Sequence, residues 1–122
     1  MAEPVTIGLS QSSHELLKEL QGHGHFAEMT DAYRLAIAIA LAKRVEYSAL
    51  PDDKRVTIFN TGTLDPERIL YNSVSALFPH ETDPVYRRIE RLAEWGTIQL
   101  HDALVSRGES LSSVMTEIRS PD

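Results

Sequence analysis

Val5-Thr6-Ile7-Gly8-Leu9-Ser10 is the stretch on which the fold turns. Val5, Ile7 and Leu9 alternate with Thr6, Gly8 and Ser10, the period-two pattern of a strand with one face in a core and the other free. A strand this short does not stand alone, so the pattern predicts pairing with a second copy of the chain. Directly after it, Ser12 and Glu15 have the spacing of a capping box ahead of Leu16, Leu17 and Leu20, which predicts a helix from Ser13 to Gln21. Gly22-His23-Gly24-His25 breaks that helix, because closely spaced glycines favour a left-handed cap and a loop. A second helix is expected from Thr30 as N-cap, with Asp31 at the positive end of the dipole and a body from Ala32 to Arg44. Its Leu35, Ile37, Ile39 and Leu41 are interspersed with alanines, so apolar groups lie all around it. That predicts burial on more than one side, by its own subunit and by another.

The remainder continues in the same helical vein. Ser48 to Arg55, with Pro51-Asp52-Asp53, has the composition of an exposed turn. Val56-Thr57-Ile58-Phe59 is a second short strand and Asn60 to Thr63 a turn. Asp65-Pro66 and Asp83-Pro84 each place a capping aspartate before a proline suited to the first helical position. The third helix should bury Ile69, Leu70, Val74, Leu77 and Phe78 and end at Pro79. A long fourth helix carries Val85, Ile89, Leu92, Leu100 and Ala103 and stops at Gly108, and a last segment with Leu111, Val114, Met115 and Ile118 docks on the core. Glycine inside a helix costs up to ~1 kcal/mol relative to alanine, so Gly96 predicts a close helix crossing or a neighbouring subunit, with Trp95 as a packing anchor. The expected architecture is mainly α and a single domain over 1–122, in which a strand and two helices (1–47) precede a helical remainder (56–118).

Composition narrows the function. A chain of 122 residues, 42% apolar and 25% charged, suits one domain with its own core. No apolar run reaches the ~18 residues of a membrane span, and Met1-Ala2-Glu3-Pro4 does not resemble a signal peptide, so a cytoplasmic protein without membrane attachment is expected. The chain has no cysteine, which removes disulfides, thiolate nucleophiles and cysteine metal sites. A net charge of -6 opposes nonspecific attraction to polyanions, and neither half is basic: four cations face six carboxylates up to residue 50, then eight face twelve. Any DNA-binding face must be assembled by folding or oligomerisation.

The order strand, helix, Thr-capped helix resembles the ribbon-helix-helix superfamily. That resemblance implies two strands paired across a dimer axis, with Thr6, Gly8 and Ser10 facing the major groove and phosphate held at the start of the second helix near Thr30. The strand has no Arg, Lys, Asn or Gln, the usual base readers. A resemblance over most of the chain is carried by Ile7-Gly8-Leu9-Ser10-Gln11, Leu16 and Leu20, Arg34-Leu35-Ala36 and its Ala/Ile/Leu helix, Trp95-Gly96, Leu100 and Leu111. These residues resemble the DndE family, small subunits of bacterial DNA phosphorothioation systems. The resemblance implies a tetrameric helical protein that binds nicked duplex DNA through surface lysines. Lysine occurs here only at Lys18, Lys43 and Lys54.

The candidate DNA contacts are Thr6, Ser10, Lys18, Thr30, Lys43, Arg44, Arg87, Arg88 and Arg91. Arg87 and Arg91 share a helix face and could grip adjacent phosphates, although Glu90 and Glu94 interleave with them and an ion-pair surface is the competing explanation. Val5, Ile7, Leu9, Leu35 and Ile39 are the expected oligomer interface of a dimer or tetramer. His23 and His25, with His14 upstream and Glu19 or Glu28 nearby, have metal-ligand chemistry but nothing to fix its geometry. No cofactor, bound metal or catalytic triad is expected, and hence no enzyme. The sequence thus points to a noncatalytic subunit of a DNA modification or defence system that contacts intact or nicked duplex through phosphates as a homo-oligomer. The alternative is an assembly subunit that touches only other proteins.

Overall fold

The computed structural model describes residues 3–43, 45, 55–79 and 82–119, with side chains as far as Thr116. Strand β1 (Thr6–Ser10) leads into helices α1 (Gln11–Gly22) and α2 (Met29–Ala42). Strand β2 (Arg55–Asn60) follows, then a single turn α3 (Thr61–Leu64) and helices α4 (Ile69–Leu77) and α5 (Val85–His101). A π-helical turn (Asp102–Ser106) prolongs α5, and α6 (Leu111–Arg119) closes the described chain. The chain is mainly α with one two-stranded antiparallel sheet, as the sequence predicts.

The partner of β1 is the correction that matters most. It is β2 of the same chain, with Ile7 opposite Phe59, Gly8 opposite Thr57 and Ser10 opposite Arg55. A bulge at Ile7/Gly8 leaves Ile58 as the extra residue on β2. Both faces of β1 are occupied: Ile7, Gly8, Leu9 and Ser10 are all buried. Gly8 is required there, because a Cβ built on it would overlap the carbonyl oxygen of Val56.

Several helix starts differ from the capping pattern. Ser10, not Ser12, caps α1, its Oγ accepting from the amide of Ser13 at 3.2 Å. The strand therefore runs into the helix without a linker. At α2 the first helical residue is Met29, and Thr30 lies inside the first turn rather than at the cap. Asp65 does serve α4, but from four residues upstream: its carboxylate accepts from the amides of Leu70 and Tyr71 at 3.0 and 2.9 Å. This geometry holds Arg68 in the left-handed region at φ 58°, with its guanidinium over the Tyr71 ring. Asp83 does not cap α5. Glu3 caps it from the other end of the chain, accepting from the amides of Val85 and Tyr86 at 2.8 and 3.0 Å. A carboxylate suits that positive helix terminus wherever along the chain it originates.

The core forms where α2 crosses α5, the most extensive helix pair in the fold. At the crossing, a Cβ on Gly96 would overlap the Ala36 carbonyl, so the close approach expected from the sequence is present and is made within one chain. Leu17 and Leu20 of α1, Tyr33 and Ile37 of α2, and Ile89, Leu92 and Leu100 of α5 are fully buried around it. Tyr33 meets Phe59 of β2 edge to face at 5.1 Å, tying the sheet to α2. Ile69 and Leu77, expected to be buried on α4, are instead 62% and 59% exposed. Gly108, at φ 66°, makes the turn from the π segment to α6, where Val114 packs inward. The predicted turn at Pro51-Asp52-Asp53 lies outside the described residues.

Candidate functional site

The expected groove-reading strand is sealed along its outer edge. An edge strand presents unpaired amides and carbonyls, and here side chains satisfy them. Glu90 Oε2 accepts from the Gly8 amide at 2.8 Å and Glu94 Oε1 from the Ser10 amide at 3.0 Å. The Tyr33 hydroxyl donates to the Gly8 carbonyl at 2.9 Å. The Ser10 and Ser13 hydroxyls donate to Glu94 Oε2 at 2.8 and 2.6 Å, so Ser10 is buried and engaged inside the fold. Thr6, only partly exposed, pairs with Asn60, and its carbonyl accepts from Arg55. The two α5 carboxylates thus stand in for a neighbouring strand.

Burying a carboxylate demands compensation. Glu90 is 1% exposed and receives it from two arginines. Arg55 of β2 donates through Nε, and Arg87, one turn back on α5, through Nη1 at 3.0 Å. Burial, and next the negative charge of Glu90, pushes the Tyr33 hydroxyl well above its ordinary range, which keeps it neutral and able to donate.

The arginine group expected to grip phosphate is committed elsewhere. Arg87 neutralises Glu90. Arg88 is buried, and its guanidinium donates to the carbonyls of Asp83 and Phe78 at 3.0 and 2.8 Å, joining the end of α4 to the start of α5. Arg91 pairs with Asp83 at 2.7 Å. The three are spokes of the α5 framework, not one outward cluster, and the ion-pair explanation fits them better than the phosphate clamp. Lys18 sits in an exposed pair with Glu15, a contact of small energetic weight. Thr30 donates to Glu28 at 3.2 Å, and with Asp31 in the same turn that helix start already holds carboxylates where a phosphate was expected. Lys43 caps the C-terminal end of α2, where a cation suits the dipole, and Arg44 lies outside the described residues.

Of the expected interface residues, Ile7 and Leu9 are completely buried within one chain and Ile39 nearly so, while Leu35 packs partly against the core. Val5 alone is open, at 76% exposure. The first three are explained by the fold of a single copy. His23 and His25 stack at 6.4 Å in the loop after α1, and no cluster of three metal-ligating side chains forms among the described residues. His101 contacts Glu19, and His14 is shifted below its ordinary range by partial burial and then by Lys18. Among the described residues, no helix is long and apolar enough to cross a membrane.

Arg55, Glu90 and Glu94 are the residues that sequence patterning missed. A glutamate on a long helix reads as solvated surface unless a strand nearby lacks an edge partner. The available signal was a two-stranded pattern with arginines at 55 and 87 and no third strand.

Fold and site together define a small helical scaffold with a strand-helix-helix opening, whose intrachain sheet is closed at one edge by helix carboxylates and whose described cations are largely engaged internally. A solved structure with this fold is that of DndE from Escherichia coli B7A, involved in DNA phosphorothioation modification. The two superpose with a TM-score of 0.63 at 20% identity, over 81% of this chain and 99% of that one. No family model matches the sequence, and no curated protein does.

Proposed function

We propose that this chain is a noncatalytic assembly subunit of a DNA modification system of the phosphorothioation type, acting through contacts with other proteins. The observation that carries this reading is the fold, which spans essentially the whole of the DndE chain. Two features support a protein-facing role over a phosphate-gripping one. Arg87, Arg88 and Arg91 each have an internal partner and Lys18 faces Glu15 at the surface, in a chain of net charge -6, so little positive field remains for counterion release. Helix α4 carries no charged side chain and leaves Ile69 and Leu77 largely exposed, a surface suited to burial against another protein.

The test has two arms. Labelled intact and nicked duplexes are titrated by fluorescence anisotropy at about 50 and 200 mM salt, where a protein using several phosphate contacts loses orders of magnitude in affinity. No saturable binding is expected at either salt. In the second arm the chain is co-expressed with the enzymes of a phosphorothioation system, where it should co-purify with them in fixed ratio and phosphorothioate linkages should disappear when it is omitted. Tight, salt-sensitive duplex binding would overturn the reading in favour of direct phosphate contact.

A further inference from the structure

Trp95, Gln99, Ala103 and Arg107 follow one another in steps of four along α5 and its π-helical extension. In a regular α-helix a step of four overshoots one turn, so such a stripe winds around the axis. The wider π turn reverses that drift, because its last step falls short of a turn and returns Arg107 toward the line of the other three. These residues line one pocket, with Lys43 facing them from the end of α2 and Leu100 in its aliphatic floor.

The pocket measures about 140 Å³. An apolar cavity of roughly 150 Å³ accepts a benzene ring, so the space has room for one six-membered ring. Its chemistry is that of a planar anion site. Half-buried Trp95 offers an indole face for stacking, and Gln99, exposed at the mouth, offers an amide donor and acceptor for a ring edge. Lys43 and Arg107 place positive charge at the rim. Arg107 uses Nε on Asp102 at 3.2 Å and Nη1 on Glu109 at 2.9 Å, while Nη2 makes no bond to a described residue. Arg107 thus lies among two carboxylates in exposed pairs and keeps one donor for a further acceptor.

We propose that this pocket binds a single-ring heteroaromatic anion, a pyrimidine nucleotide, with its ring on Trp95 and its phosphate between Lys43 and Arg107. The site is independent of the assembly role, since neither the α4 surface nor the β1 edge takes part in it.

Trp95 is the only tryptophan, so intrinsic fluorescence reports the pocket directly. The full chain is titrated with dCMP, with deoxycytidine, which lacks the phosphate, and with deoxyribose 5-phosphate, which lacks the ring. Calorimetry repeats each titration. Saturable quenching by dCMP is expected, with each fragment weaker by about tenfold or more. Arg107→Gln should weaken dCMP by about tenfold with an unchanged melting temperature, because its ion pairs are exposed and contribute little to stability. A trinucleotide with a 5′-phosphate that binds like dCMP would identify a strand end as the source, and selectivity for dCMP would identify a free nucleotide. The proposal is overturned if neither quenching nor heat saturates by about 10 mM dCMP. It is equally overturned if deoxycytidine matches dCMP or Arg107→Gln binds like wild type.

Discussion

At the scale of single residues, neighbouring positions on α5 are predicted to respond in opposite directions. Gly96 lies against the Ala36 carbonyl, so Gly96→Ala gains helix propensity but drives a methyl into backbone that cannot swing aside. Overpacking of this kind costs about 1–3 kcal/mol, more than the propensity gain, and a loss of about 2 kcal/mol is expected in urea unfolding. Thr97, beside it, is completely buried with a hydroxyl that has no hydrogen-bond partner among the described residues. Thr97→Val removes that unpaired group at nearly constant shape and should stabilise by about 1 kcal/mol in the same assay. If Gly96→Ala melts like wild type, the α2–α5 crossing is looser than described.

At the scale of elements, β1 depends on α5 as much as on β2. Glu90 accepts from Gly8 and balances Arg55 and Arg87, so Glu90→Ala strands a buried amide beside two partly buried guanidinium groups. Breaking a buried charged network costs about 3–5 kcal/mol. The expected loss here is about 3 kcal/mol, since both arginines retain access to water. Glu90→Gln keeps an oxygen for Gly8 and should lose less, about 1–2 kcal/mol, in parallel urea melts. Equal losses would show that the charge alone matters and that the edge bond to β1 does not. This edge also marks where the sequence was legible. Alternation located β1 and β2, apolar spacing located the helices, and a mid-helix glycine located their crossing, because each is a local periodicity imposed by one burial surface. Pairing across 45 to 54 residues, Glu3 capping a helix 82 residues away and Glu90 acting as a strand surrogate are long-range polar choices with no local period. Arg87, Arg88 and Arg91 look like an outward cluster for a different reason: their partners are near in sequence, Glu90 on the next turn of α5 and Asp83 and Phe78 just before it, but spacing alone does not say that these pairs form.

At the scale of the whole molecule, two buried tyrosines connect parts of the fold that lie far apart in sequence, and their ionisation should unfold it from the alkaline side. Tyr33 joins α2 to the β1 edge through its bond to Gly8 and is raised well above its ordinary range by burial first and then by Glu90. Tyr86 joins α5 to the turn before α4 through Asp65 and is pushed up to about 12, by burial first and then by that hydrogen bond. Both groups are neutral when protonated, and in the unfolded chain both titrate near 10. Below about pH 10 both states keep the proton, so the stabilising contribution is fully present. Above it the unfolded chain loses protons that the folded chain retains, and stability falls with rising pH until the folded values are passed. Urea midpoints should therefore be flat with respect to these groups from neutral pH to about 10 and then drop steeply toward 12. Tyrosinate absorbance followed over the same range should show two of the four tyrosines ionising together with the loss of helical circular dichroism rather than before it. Tyr86→Phe removes one of the two groups and should make the alkaline drop shallower. An unchanged slope in that variant would show that Tyr86 ionises freely in the folded protein and that its bond to Asp65 does not couple α5 to the turn before α4.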